Sequence, residues 1–297
     1  MRAAVYQPQY LPRLHYVNRA LDADVFVVLD SAQFTRKLKH HGPDGATVHP
    51  SYQVHTPIRL ASGRHLLTVP LRGGGARRPL DETLVADPAH WVPTHLRSLH
   101  AGYANAPRYG ALAPGIAALL ERDHPSLAAL NLATLLWALA VLLRLDLGGD
   151  LSNRAGGGAA GGGRAGGGRD GDPAEHMLAA VNDRLAAQRR VPLRRIVRAS
   201  DLRTARPAGL QQGNAWIAGL CHEVGADEYL CGGTAAGNYM DKEFFAERGI
   251  TTVIQSWHCP TYSQRFATRQ RFIPNLSILD LLLNVDPAGA LDVVQPR

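Results

Sequence analysis

MRAAVYQPQYLPRLHYVNRALDADVFVVLD (Met1–Asp30) is the stretch that decides the fold. Arg2–Tyr6 reads as a short strand, and Pro8 and Pro12 bound a turn after it. A helix is expected over about Leu14–Leu21. Val25–Leu29 is continuously apolar and rich in β-branched residues, the pattern of a strand covered on both faces. A strand, a turn, a helix and a second strand within thirty residues have the spacing of a right-handed parallel crossover.

The same alternation returns further along. Helices are expected at Ala174–Gln188, Gly213–Val224 and Asp241–Glu247, with strands at Arg195–Ala199, Tyr229–Cys231 and Thr252–Gln255. Alternation at this spacing predicts a three-layer α/β sandwich with a mostly parallel, Rossmann-like sheet. Between the two blocks, His65–Leu71 reads as a third strand cut off by Pro70, and His40–Pro50 as a loop rich in histidine, glycine and proline. Trp91–Tyr103 and Tyr109–Arg122 read as helices. A last helix is predicted from Asn275, as its cap, to about Asn284.

Two segments need separate treatment. Leu127–Leu145 is nearly long and apolar enough to span a bilayer. Asn131, Thr134 and Arg144 interrupt it, and His124-Pro125-Ser126 supplies a helix start, so the reading is a helix buried in the core and no membrane span. Arg154–Pro173 carries ten glycines among alanine and arginine. Such a composition cannot bury enough surface to offset chain entropy, and it predicts a disordered insertion at residues 154–173 within one α/β domain spanning 1–297.

With 297 residues and 45% hydrophobic composition, the chain has material for a sizeable core. A net charge of +7, largely from arginine and clustered at Arg189–Arg198 and Lys37–His41, favours acidic ligands or an acidic carrier protein. No helix-turn-helix, zinc-finger or aromatic RNA-binding signature accompanies it, so no nucleic-acid partner is predicted. Cys221, Cys231 and Cys259 lack CxxC spacing, which argues against a disulfide framework or a structural metal. No apolar signal region precedes the first prolines, so a cytoplasmic location is expected.

Several residues stand where chemistry gathers, at the ends of strands. The prolines of QPQYLP hold Gln7 and Tyr10 in a rigid, extended turn after the first strand. Asp30 ends the second strand, with Gln33 and Lys37 following. An acid there can bind a ribose hydroxyl, a metal ion or an ammonium group, or cap the next helix. GGTAAGNYMD places Gly232, Gly233 and Tyr239 between a strand and a helix, where backbone N–H groups can meet a phosphate or carboxylate, or form an ordinary loop. Its glycine spacing matches neither the dinucleotide fingerprint nor the P-loop, and no cofactor is implied. HCPTYSQ (His258–Gln264) holds Tyr262 as a substrate contact and Cys259 as a possible nucleophile beside His258. His40, His41, His49 and His55 are dense but lack helical ligand spacing, so solvent exposure rather than metal binding is expected.

The ordered blocks QPQYLP with Tyr16, DVFVVLDSAQF, LLTVPL, HLRSLHAGYANAPRY, GADEYLCGGTAAGNYMD and NLSILDLLLN resemble the WbqC-like proteins of bacteria. The resemblance implies a role in surface-polysaccharide or specialised-metabolite biosynthesis, as an acyl- or aminoacyltransferase that forms an amide on an amine-bearing sugar or metabolite. An acyl thioester or carrier-protein donor would be its partner. In such chemistry Asp30 or a nearby histidine would bind the amine and remove its proton, Gln7, Tyr10 and Gln33 would orient the substrates, and the Gly232-Gly233 backbone would contact the oxyanion or a phosphate. Tyr6 stands where the family often shows histidine before QP. Two alternatives remain at this level: adenylyl transfer, from a distant similarity to HIGH-type nucleotidyltransferases with His15 as the lone histidine, and a basic scaffold holding an acidic partner through Arg189–Arg198.

Overall fold

The computed structural model describes residues 1–42, 45–74, 77–147, 173–207, 213–233, 240–267 and 271–296. Its centre is a five-stranded parallel sheet in the order β7-β2-β1-β8-β9, formed by β1 (Arg2–Tyr6), β2 (Val25–Val28), β7 (Arg195–Arg198), β8 (Glu228–Cys231) and β9 (Thr251–Ile254). Helices flank it to give the three-layer α/β sandwich: α1 (Leu14–Leu21), α2 (Pro88–Tyr103), α3 (Tyr109–Leu120), α4 (Leu127–Leu143), α5 (Pro173–Ala187), α6 (Gly213–Glu223), α7 (Lys242–Ala246), α8 (Ile278–Asn284) and α9 (Pro287–Val294). All four residues of β2 and Ala3–Val5 of β1 are buried, as expected for strands covered on both faces. From central β1 the sheet grows outward through β2 and β7, then returns to add β8 and β9 on the other side. The direction of winding therefore reverses between β1 and β8, and crevices open at such reversals, at the carboxyl ends of the strands.

Helix α4 is the core helix the sequence suggested. All of its residues except Val141 are buried, and the Ser126 side chain caps it by accepting from the Ala129 N–H. Among the described residues no helix is long and apolar enough to cross a membrane. The two polar residues inside this apolar run support the turn after β1. Asn131 Nδ2 donates to the Pro8 and Gln53 carbonyls (3.3 and 2.8 Å), and Thr134 Oγ1 accepts from Leu11 N (3.1 Å).

The structure corrects four sequence expectations. His40–Pro50 is not a loop: β3 (Lys37–Gly42) pairs antiparallel with β4 (Gly45–Pro50). A two-stranded ribbon satisfies its backbone groups locally, so it needs no apolar alternation to reveal it. His65–Leu71 contributes to β6 (Gly63–Thr68), which pairs with β5 (His55–Leu60) in a separate hairpin rather than joining the central sheet. The last helix is capped by Ser277, whose hydroxyl accepts from Leu279 N, rather than by Asn275. Asn275 adopts φ 56° and caps α1 from across the fold, its Oδ1 accepting from His15 N at 3.0 Å. Finally, Leu11 precedes Pro12 yet is not extended. Its φ is 41°, a strained value held by Thr134 on its N–H and by the Thr56 and Ser277 hydroxyls on its carbonyl. Helix α9 escaped the sequence reading, although Asp286-Pro287 is a regular cap-and-proline start. Residues 154–172 of the glycine-rich insertion lie outside the described residues.

Candidate functional site

A cavity of about 650 Å³ opens where β1 and β2 end, at the winding reversal. Its walls come from the β1 turn (Tyr6, Gln7, Gln9), the segment after β2 (Gln33, Thr35), the Ser51–Gln53 turn, and α6 with the residues before it (Arg206, Trp216). Val5, Leu29, Ala32 and Ile217 supply apolar surface, and Tyr229 of β8 also lines it. Among the described residues the lining contains no aspartate, glutamate, histidine, lysine or cysteine, and Arg206 is the one cation they contribute. Carboxamides and phenols dominate its polar groups, a set suited to orienting a polar ligand through hydrogen bonds rather than to trapping an ammonium ion.

Gln7 is the best-oriented of these carboxamides. Gln53 Nε2 donates to Gln7 Oε1 at 2.7 Å. Gln53 is itself fixed, because its Oε1 accepts from Thr35 N (2.9 Å) and Ser51 Oγ (3.2 Å), and its carbonyl accepts from Asn131 of α4. With its oxygen engaged by Gln53, Gln7 keeps its NH₂ group as the donor it can offer a ligand, on a residue that lines the cavity. Pro8 after it and Asn131 beneath it remove the backbone's freedom to change that orientation.

Tyr6 closes the β1–β8 side. Its hydroxyl accepts from Gly232 N (2.7 Å) and donates to the Leu230 carbonyl (3.4 Å), and burial pushes its phenol up to about 12. The Arg19 guanidinium lies 4.1 Å from the Tyr6 ring centroid, donates to Gln255 Oε1, and is 6% exposed. A Cβ on Gly232 would come within 2.5 Å of Arg19 Nη2. Gly232→Ala is accordingly expected to displace Arg19 from its stack and cost about 1–3 kcal/mol. A denaturant-unfolding midpoint equal to the wild type's would show that Arg19 moves freely.

The sequence-predicted residues divide. Gln7 and Gln33 both line the cavity. Tyr10 does not: it is 1% exposed, and its hydroxyl donates to His95 Nδ1 (3.0 Å). Asp30 is buried just behind, where its carboxylate accepts from Ser31 N, Ser200 N and Ser200 Oγ, tying the end of β2 to the segment after β7. Lys37 begins β3, is exposed and does not line the cavity. The Gly232 N–H is occupied by Tyr6, while Gly233 is exposed with open space about its α-carbon. Tyr239 lies outside the described residues. Tyr262 is 8% exposed and donates to Asp280 Oδ1 (2.8 Å), within a buried cluster that does not line the cavity. Cys259 is half-buried, accepts from Asn275 N, and has its thiol pushed up by burial, the opposite of an activated thiolate.

The residues missed are those whose chemistry is unremarkable in sequence: Gln53, Asn131, Tyr52, Arg206 and Trp216. Only Asn131 carried a signal, as an amide inside an apolar run. Among the described residues no three histidine, cysteine, aspartate or glutamate side chains gather to hold a metal ion. The Arg189–Arg198 cluster is largely spent within the fold. Arg190 donates to the Leu143 carbonyl, Arg194 to three carbonyls around Gln188–Leu193, Arg195 to the Val224 carbonyl, and Arg198 pairs with Asp201 and Glu175. His15, the histidine of the adenylyl-transfer reading, bonds to Asn275 Oδ1 through Nδ1 (2.9 Å) and is absent from the cavity wall.

Two histidines, His95 buried and His15 partly buried, make the fold sensitive to acid. His15 is lowered to about 3, first by burial and then by Arg19; His95 is lowered to about 4, mainly by burial, with Nε2–H donating to the Thr68 carbonyl. Both are neutral when folded, so as pH falls below about 6.5 the unfolded chain takes up protons that the folded chain refuses, and stability is lost. At pH 5 the loss is about 2 kcal/mol for His95 alone. Asp280, raised by burial, acts in the opposite sense. Urea unfolding at pH 7 and pH 5 should show a lower midpoint at pH 5, with a smaller drop in His95→Gln; equal drops would refute the assignment.

Comparison with known proteins adds the following. The sequence profile of the WbqC-like protein family matches residues 7–154 and 178–291. "Uncharacterized protein Rv1507c" of Mycobacterium tuberculosis is 23% identical over 287 residues, covering 96% of this chain and 94% of the relative. No solved structure matches.

Proposed function

This chain belongs to the WbqC-like protein family, and from that premise we propose that it is an acyl- or aminoacyltransferase that forms an amide on an amine-bearing sugar or metabolite, in surface-polysaccharide or specialised-metabolite biosynthesis. The observation that carries this reading is the Gln7 carboxamide, whose oxygen is engaged by Gln53 on a residue that lines the cavity, which leaves its NH₂ group as the donor. In amide formation an amine nitrogen attacks the carbonyl carbon of a thioester or ester. The new C–N bond forms, negative charge collects on the carbonyl oxygen, the C–S or C–O bond breaks, and the amine's proton leaves with the departing group or to water. A donor fixed before the reaction stabilises that oxygen without reorganising.

The cavity wall also bears on the acceptor. Among the described residues no carboxylate or imidazole lines it, so in this reading the amine enters uncharged, and the polar body of the acceptor is oriented by Gln9, Gln33, Thr35 and Tyr52. Asp30, behind the wall with three donors on its carboxylate, fits a role in holding the crevice open better than one in proton removal. The test is incubation with acyl thioesters and amino sugars, followed by mass spectrometry for the condensed product. Product in wild type that is lost with Gln7 would support the reading. Absence of product with every thioester and ester donor would refute it.

A further inference from the structure

The cavity is not uniform. Its carboxamides come from the β1 turn and the segments beside it, whereas several of its apolar residues share one face of the sheet. Parallel register pairs Val5 of β1 with Val27 of β2, and Ala3 of β1 with Tyr229 of β8. Leu29 carries the β2 ladder one step further, its N–H donating to the Tyr6 carbonyl at 2.8 Å. Residues two apart on a strand stand on the same face, so Leu29, Val5 and Tyr229 lie together across three neighbouring strands. The opposite face, with Tyr6 and Phe26, is covered by Tyr16 and Arg19 of α1. Ala32, just past β2, and Trp216 and Ile217 of α6, which packs on β1, complete the apolar wall.

Val5, Leu29, Ala32, Ile217 and Tyr229 are at most 9% exposed, yet all of them line the cavity. Core side chains are normally packed on every side. Apolar walls that border a cavity instead forgo those contacts, and because apolar cavities hold water poorly they take apolar guests. We propose that this compartment is a subsite for a short aliphatic chain. On the acyl-transfer reading, on which this identification rests, the chain is the acyl group of the donor. Gln7 follows Val5 by two residues, so a chain seated against Val5 sets its carbonyl toward the Gln7 end of the cavity. Among the described residues the lining offers no carboxylate to an ammonium group, so an aliphatic acyl group fits better than an aminoacyl group of the same size.

Simple aliphatic amides test the subsite without turnover. NMR titrations with acetamide, propanamide, butanamide and hexanamide should show affinity rising about fourfold with each added methylene until the compartment is full. Glycinamide has the size of propanamide but carries an ammonium group, and it should bind about tenfold more weakly. Ile217→Trp should end the rise at a shorter chain, and Ile217→Ala should extend it. Unfolding midpoints check that the variants fold, and either one decides the point if the other does not. Affinity that ignores chain length, glycinamide bound as tightly as propanamide, or a length limit unmoved in the folded variants would overturn the subsite.

Condensation assays with the same chains as thioesters separate the two claims. Chain-dependent binding without product from any thioester or ester donor supports the subsite and removes the acyl-transfer reading. Product formed equally well from acetyl, butanoyl and hexanoyl thioesters keeps that reading and removes the subsite.

Discussion

Replacing Gln7 by alanine should lower kcat for amide formation by about 10²- to 10³-fold, with little change in KM, because the lost donor acts on charge that exists only in the transition state. Three features of the site lead to this expectation. The carboxamide oxygen is taken by Gln53 Nε2, Gln53 is fixed by Thr35, Ser51 and Asn131, and the remaining NH₂ group belongs to a residue on the cavity wall. Gln7→Glu should be at least as damaging, since it keeps the acceptor for Gln53 but sets a negative charge where the oxyanion develops. Stability should change little in either variant. The cavity is open, so water can replace the lost partner of Gln53, at about 1 kcal/mol or less. A Gln7→Ala enzyme with wild-type kcat would remove Gln7 from the mechanism; a rise in KM alone would reassign it to ground-state binding.

Asp280→Ala should do the reverse, destabilising the protein by about 3–5 kcal/mol while sparing the chemistry of the folded fraction. Asp280 is fully buried in the first turn of α8. Its two oxygens accept from Tyr103 Oη (2.8 Å), Tyr262 Oη (2.8 Å) and Gln264 Nε2 (3.0 Å). Gln264 relays the charge to Arg59, also fully buried, by accepting from Arg59 Nη1 at 2.6 Å, and Tyr103 accepts in turn from Arg59 N. Removing the carboxylate leaves two phenols without their acceptor, while the Gln264 amide keeps the Ile273 carbonyl, and it takes away the negative charge facing a buried cation. In a chain of this size the melting temperature should fall by on the order of 10 °C. A change below about 1 kcal/mol would mean that the cluster relaxes onto water, and that it does not staple β5, α2 and α8 together. None of these residues lines the cavity, so the pair of variants separates catalysis from scaffolding.

Much of the fold was legible because its signals are local. The runs at Arg2–Tyr6 and Val25–Leu29 are apolar over the length of a strand, and the helix between them is bounded by Pro12 and the polar Asp22-Ala23-Asp24 segment. Such patterns survive in isolation, since burial on both faces demands apolar residues at every position. The β3–β4 and β5–β6 hairpins were obscured for the opposite reason. They lie partly on the surface, where pairing is satisfied by backbone groups and composition is free to vary. Ser277 displaced Asn275 as the cap of α8 because Asn275, with φ 56°, was needed to cap α1 from 260 residues away.

By itself, the sequence determined the parallel α/β architecture, the central position of α4 and the presence of Gln7 and Gln33 at strand ends, because each follows from periodicity or from backbone restraint within a few residues. Only the tertiary structure decided which strand ends share a cavity, which way Gln7 points, and that Tyr10, Asp30 and Tyr262 spend their polar atoms inside the fold. The physical reason is that a hydrogen bond's direction depends on the partner's position. The partners here, Gln53 for Gln7 and Ser200 for Asp30, stand 46 and 170 residues away along the chain.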